Sequence, residues 1–219
     1  MSGSATPMAP RGLPPAAAIY AGADGMFVVG ADGTSYVWGA NAYGQVSSAA
    51  ERFVTEPAHV ASLSGVVAVD YATGVVCVVH GDGGVSCWGD NESHLLGPGR
   101  DEQCIDAPGF GGPPAQIPCR RTPQRIAGIT DATDVAINGD AVVVRRRDGT
   151  LLSWGDNSRG SLLDPTAANR AVPAPVRGVT GVDELSTNNG TLALCVRRGD
   201  RVQCWNAEAR RFDAVQGLP

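Results

Sequence analysis

Residues 81–91, GDGGVSCWGDN, are the stretch whose reading decides the fold. They read as the end of one strand, a Gly-rich turn, a short strand ending in Trp-Gly, and a polar exit. The phrase returns as ADGTSYVWGAN at 31–41 and as RDGTLLSWGDN at 147–157, and a worn copy, GDRVQCWN, occupies 199–206. Self-similarity at a fixed period sets the architecture of a chain before any single residue does. The tryptophans stand at 38, 88, 154 and 205, so the gaps are 50, 66 and 51 residues. The period is about fifty, with an insertion of about sixteen in the second unit.

Each unit has the same internal order. An apolar stretch comes first (17–21, 66–72, 132–137, 182–185), then a turn of small residues. A β-branched strand follows (26–29, 75–79, 141–144, 192–196). An Asp-Gly turn, a strand ending in Trp and a long Gly/Pro-rich return complete the unit. Short β-branched runs between Gly, Asp and Asn turns predict strands, and no window carries a helical period. The turns centre on Asp32, Asp82 and Asp148, followed by Gly33, Gly83 and Gly149; the fourth unit shortens this to Gly199-Asp200. A three-residue hairpin loop needs a left-handed position near its end, which Gly adopts without a Cβ clash. That register sets Phe27 opposite Val37, Cys77 opposite Cys87, Val143 opposite Ser153 and Cys195 opposite Cys204. Cysteine stands at both members of a pair or at neither, and directly opposed antiparallel residues lie within disulfide reach.

At 219 residues the chain is long enough to bury a sizeable core. We read residues 1–12 as a tail or linker and 13–219 as one repeat domain, with units at about 13–65, 66–130 (insertion 98–125), 131–180 and 181–219. The net charge is −5, with 17 arginines and no lysine. Lysine Schiff bases and phosphate-loop lysines are thereby excluded, and the composition suits a GC-rich bacterial genome. Six cysteines form three plausible pairs, the third being Cys104 with Cys119, a link that contributes roughly 3 kcal/mol on the loop-entropy model. Persistent disulfides need an oxidising compartment, so an extracytoplasmic location is expected, although the first residues show no signal peptide. No apolar run is long enough to span a membrane.

The repeated phrase resembles the regulator-of-chromosome-condensation repeat family. The residues that carry the resemblance are Trp38-Gly39 with Asn41, Gly44 and Gln45, Trp88-Gly89 with Asn91, Leu95, Leu96 and Gly97, and Trp154-Gly155 with Asn157 and Gly160, each after its Asp-Gly turn. The resemblance implies a β-propeller, with four-stranded blades set radially about a channel. It also implies cysteine-bearing blades of the kind that Cys77/Cys87 and Cys195/Cys204 would make. Family propellers have seven blades as a rule, and four units are counted here. A small closed ring, an open arc and a fragment of a larger propeller all remain open, and self-association follows if the four units do not close.

Two stretches are candidate binding surfaces. The insertion is Pro/Gly-rich and clipped by cysteines, with Phe110 at its tip and Arg100, Asp101, Glu102, Arg120 and Arg121 about its neck. Loops held on a rigid scaffold commonly carry recognition, although a tolerated insertion would read the same way. Arg145, Arg147, Arg197 and Arg201 flank the hairpins of the last two units, where they form either an anion-meeting patch or a solvated edge. Trp38, Trp88, Trp154 and Trp205 are read as structural core, packed between blades. His59, His80 and His94 fit no metal-ligand spacing, and no catalytic motif or cofactor-binding phrase occurs. Acidity and the cysteine pairs argue against nucleic acid. The expected function is a non-catalytic scaffold that binds another protein. The alternatives are a guanine-nucleotide-exchange or chromatin-binding module and a protein inhibitor of an extracellular enzyme.

Overall fold

The computed structural model describes residues 10–48, 51–72, 74–106, 115–164, 166, 168–188 and 193–215. These residues form an all-β chain of four antiparallel sheets, with no helix among them. Blade 1 comprises β1 (Ala16–Ala21), β2 (Gly25–Gly30), β3 (Ser35–Ala40) and β4 (Phe53–His59). Blade 2 comprises β5 (Val66–Ala72), β6 (Val75–His80), β7 (Val85–Asp90), β8 (Glu102–Asp106) and β9 (Ala115–Arg125), in the order β5-β6-β7-β9-β8. Blade 3 comprises β10 (Ala132–Asn138), β11 (Ala141–Arg146), β12 (Leu151–Gly155) and β13 (Arg170–Pro175). Blade 4 comprises β14 (Glu184–Thr187), β15 (Leu194–Arg198), β16 (Arg201–Asn206) and β17 (Arg211–Ala214).

All four cross-strand pairs expected from the turn centres are present: Phe27 with Val37, Cys77 with Cys87, Val143 with Ser153 and Cys195 with Cys204. The cause is local. The Asp82 carboxylate accepts the Gly84 amide at 2.9 Å, and Asp32 and Asp148 do the same for Thr34 and Thr150. The intervening Gly33, Gly83 and Gly149 have φ of 81°, 80° and 76°, which a side chain would strain.

The fourth strand that the family resemblance implies for each blade lies in the Gly/Pro-rich return, where the residue pattern alone does not place it. Pro57, Pro173 and Pro175 lie within β4 and β13, the outermost strands of their sheets. A proline lacks an N–H to donate and is tolerated at an edge or an irregularity, and both pairings shift register.

The core lies between the blades. Phe27, Val29 and Val37 of blade 1 meet Val69, Tyr71, Val76, Val78 and Trp88 of blade 2. Cys77, Val79, Val85 and Cys87 on the other face of blade 2 meet Ile137, Val142, Val144 and Trp154 of blade 3. Val143 and Leu151 meet Leu185, Leu194, Val196 and Trp205 of blade 4. Each sheet therefore buries its apolar face only because a neighbour covers it. The first strands β1, β5, β10 and β14 pack in succession. No comparable packing joins β14 back to β1 among the described residues, so the four blades form an arc that is not closed.

Candidate functional site

The WGxN phrase acts as a coupling between blades. After each Trp the chain turns at a glycine, Gly39, Gly89 or Gly155, with φ between 109° and 123°. A Cβ there would collide with the backbone carbonyl of Asp24, Gly74 or Asp140. Three residues past the Trp, a buried Asn closes the next loop. Asn41 Oδ1 accepts the Val46 amide at 3.0 Å, Asn91 the Leu96 amide at 2.8 Å and Asn157 the Leu162 amide at 3.0 Å. The closed loop presents one carbonyl to the following blade. Trp88 Nε1 donates to Gln45 O at 2.8 Å, Trp154 Nε1 to Leu95 O at 2.7 Å and Trp205 Nε1 to Gly160 O at 2.7 Å. Those three indoles are buried core, as expected from their repeat position. Trp38 departs from the pattern: it is only partly buried, and no loop carbonyl among the described residues receives its indole N–H.

Two carboxylates couple the inner strands. Asp70 Oδ2 of blade 2 accepts the Ile137 amide of blade 3 at 2.6 Å and the Thr187 hydroxyl of blade 4 at 3.2 Å. Asp134 Oδ2 accepts the Leu185 amide at 3.4 Å, and Tyr20 donates its hydroxyl to Val67 O at 3.4 Å. A bond from blade 4 back to blade 2 means that the inner strands curl tightly. Burial raises both carboxyls above their ordinary value of 3.8, and the amide bonds that favour the charged form offset this only in part. A carboxyl raised in the folded state holds its proton more firmly than in the unfolded chain. Its contribution to stability is therefore full below pH 3.8 and is lost as pH rises through the folded value. Asp70→Asn keeps an oxygen acceptor for Ile137 and removes the buried charge. We expect its melting temperature to exceed that of the wild type at pH 7, with the difference vanishing towards pH 3.5. A lower melting temperature at pH 7 would show that the charge itself is required.

The described part of the insertion is an antiparallel strand pair at the edge of blade 2. Strands β8 and β9 pair from Glu102/Cys119 to Asp106/Ala115, and the Cys104–Cys119 disulfide joins them at a Cα separation of 5.8 Å. Cys104, Ile117 and Cys119 form a small core against Tyr43 of blade 1. All six cysteines are paired as expected. The neck residues divide by environment. Arg120 is buried, and its guanidinium donates to Asp101 at 2.8 Å, Leu96 O at 2.6 Å and Gly97 O at 2.8 Å. Asp101 also accepts from Asn91 Nδ2 at 2.9 Å. Arg120 and Asp101 thus lock the hairpin onto the WGxN loop, and neither is a free docking group. Arg121 pairs loosely with Glu102 at 3.5 Å. Arg100, Glu102 and Ile105 are exposed. Phe110 lies outside the described residues.

Several arginines near the hairpin tips are ion-paired. Arg146 holds Asp131 at 2.7 Å, Arg125 holds Asp82 at 2.6 Å, and Arg197 holds Glu184 at 3.0 Å and Asp183 at 3.4 Å. Arg145 is half-buried beside Asp134, while Arg147 and Arg201 are exposed. Of the four candidate arginines, Arg197 is therefore ion-paired, and Arg147 and Arg201 stay exposed. No group of three or more His, Cys, Asp and Glu side chains suited to a metal occurs among the described residues, and no helix there is long and apolar enough to cross a membrane.

No protein-family model matches the chain. The chain is 27% identical over 154 residues to the human E3 ubiquitin-protein ligase HERC2, a match that takes in 68% of this chain and 3% of that protein. Among solved structures it superposes on human WBSCR16 with a TM-score of 0.68 at 18% identity, covering 90% of this chain and 51% of the other. It superposes with a TM-score of 0.59 at 20% identity on Saccharomyces cerevisiae Prp20p, a structure described together with that protein's binding to Gsp1p and histones. That match covers 74% of this chain and 38% of the other. The chain thus spans a small part of HERC2 and about half or less of these solved chains. The fold is that of β-propeller blades. Its repeats resemble the regulator-of-chromosome-condensation family in phrase, register and blade structure.

Proposed function

We propose that the chain is a non-catalytic scaffold that captures a protein partner outside the cytoplasm, through the insertion hairpin of blade 2. The observation that carries this is the hairpin's construction. A disulfide, a buried arginine and Tyr43 hold its base rigid, while Arg100, Glu102 and Ile105 at its edge stay exposed. A rigid base with exposed edge groups lowers the ordering cost of binding. Strand β8 is also an open sheet edge, to which an extended segment of a partner can add. Three disulfides and no free cysteine support an oxidising location.

A second reading, a guanine-nucleotide-exchange or chromatin-binding module, is favoured by the likeness to Prp20p, whose structure is described with its binding to Gsp1p and histones. A net charge of −5 and the three disulfides weigh against it. The test replaces residues 104–119 with a Gly-rich turn. The blades stay folded by circular dichroism, and capture of the native partner from periplasm or medium falls at least ~10-fold. Undiminished capture would move the binding face elsewhere on the arc.

A further inference from the structure

We propose that the Asp32–Gly33 turn of blade 1 is a modification site, at which an aspartyl link rearranges to an isoaspartyl link ahead of the other Asp-Gly turns of the chain. The chemistry needs no enzyme and no co-reactant but water. The Gly33 amide nitrogen attacks Cγ of the Asp32 carboxyl, the nitrogen loses its proton, and a carboxyl oxygen leaves as water. A cyclic imide results. Water then adds to either imide carbonyl. Opening on one side restores aspartate. Opening on the other routes the main chain through the former side chain, one methylene longer. A glycine after the aspartate favours the attack, because no Cβ shields its nitrogen.

The repeat supplies the comparison. Asp32, Asp82 and Asp148 hold the same place in three hairpins. The following glycine amide donates to Gly30 O at 2.9 Å, to His80 O at 2.8 Å and to Arg146 O at 2.9 Å respectively. Each Asp Oδ1 in turn accepts the amide two residues on. The attacking nitrogen and the carboxyl carbon are thus held apart in all three, and the imide closes only when a turn opens locally. The rates therefore rank by the cost of that opening.

The surroundings of the three turns differ. Gly83 O accepts the Ala132 amide at 2.9 Å and Gly149 O the Val182 amide at 3.0 Å, so the tips of blades 2 and 3 dock on the loop that leads into the next blade. A Cβ on Gly83 would lie 2.4 Å from Thr130 O, and one on Gly149 3.1 Å from Gly181 Cα. Gly33 O makes no such bond among the described residues, although the corresponding loop, residues 62–66, is described. A Cβ on Gly33 would meet nothing within 4 Å. The carboxylates differ in the same sense. Arg125 holds Asp82 at 2.6 Å, Arg146 lies 3.9 Å from Asp148, and Asp32 is in no ion pair among the described residues. Thr34 holds Asp32 through its amide at 3.0 Å and its hydroxyl at 2.5 Å. Docking and ion pairing both place Asp32 before Asp148 and Asp148 before Asp82. The remaining Asp-Gly step, Asp24–Gly25, is pinned. Asp24 O accepts the Ala40 amide at 2.9 Å, and a Cβ on Gly25 would lie 2.5 Å from the Tyr71 hydroxyl. The added methylene falls in the loop that sets Val29 opposite Ser35, so rearrangement loosens the tip of blade 1.

The test keeps the full chain for weeks at physiological temperature and near-neutral pH. The chain is then digested with trypsin and sequenced by electron-transfer dissociation, whose fragments distinguish isoaspartate from aspartate at each position. Isoaspartate is expected at Asp32 in at least ~10-fold excess over Asp82, with Asp148 between them. A parallel sample in denaturing urea is expected to lose this ranking, because every turn is then open. No isoaspartate at Asp32 in the folded chain would overturn the proposal. So would an Asp82 or Asp148 rate that matches the Asp32 rate. The same ranking in urea would trace the preference to the local sequence and overturn the structural cause.

Discussion

Trp154→Ala lowers the free energy of unfolding by about 3–5 kcal/mol, and Trp38→Ala by less than half as much. The two residues occupy the same place in the repeat, so their intrinsic chemistry is identical and only their surroundings differ. Trp154 is fully buried between blades 2 and 3 and packs with Val142, Val144, Leu95 and Cys77. Truncation there leaves a cavity between two facing sheets, and it strands the Leu95 carbonyl that the indole satisfied at 2.7 Å. Trp38 is partly exposed and has no such acceptor among the described residues. A domain of this kind is stable by only ~5–15 kcal/mol, so the first substitution consumes much of the margin. Urea titrations followed by far-ultraviolet circular dichroism separate the two. Equal losses would show that Trp38 is covered as fully as Trp154.

Arg120→Ala costs about 3–5 kcal/mol, although the sequence placed this residue in a binding surface. Its guanidinium is buried and its three contacts are the Asp101 carboxylate and the carbonyls of Leu96 and Gly97. Removing it leaves a carboxylate and two carbonyls without their donor, in a loop that must also hold the Leu95 carbonyl towards Trp154. Destabilisation should therefore spread from the insertion to the interface between blades 2 and 3. Arg121→Ala, one residue on, is expected to change stability by no more than ~1 kcal/mol, because its pair with Glu102 is long and solvated. Thermal unfolding of both variants, with and without Asp101→Asn, checks the claim. If Asp101→Asn rescues part of the Arg120→Ala loss, the stranded charge was its main cause. Indistinguishable melting temperatures for Arg120→Ala and Arg121→Ala would show that the buried guanidinium contributes little.

The hairpin strand pairs, the turn types and the three disulfides were legible in the sequence because each depends on residues within about fifteen positions of one another. An Asp-Gly turn fixes its hairpin register by its own φ angles and an Asp-to-amide bond, and Cys77 opposite Cys87 follows without knowledge of the rest of the chain. The family resemblance implied a fourth strand in each blade, but the residues did not place it, because edge strands tolerate the prolines that normally argue against a strand. The Asn at the third position after Trp was visible as a repeated letter. Its task, aiming a carbonyl at the next indole, involves partners 43 to 59 residues apart.

Local chemistry wrote the blade, and by itself the sequence determined four copies of it. Only the tertiary arrangement decided which copies are covered. The same apolar row is buried in blades 2, 3 and 4 and open in blade 1, the same arginine type is locked at 120 and free at 147, and two carboxylates lie buried where inner strands converge. The physical reason is that burial belongs to a neighbour rather than to a residue: a sheet face has no fate until something is placed against it.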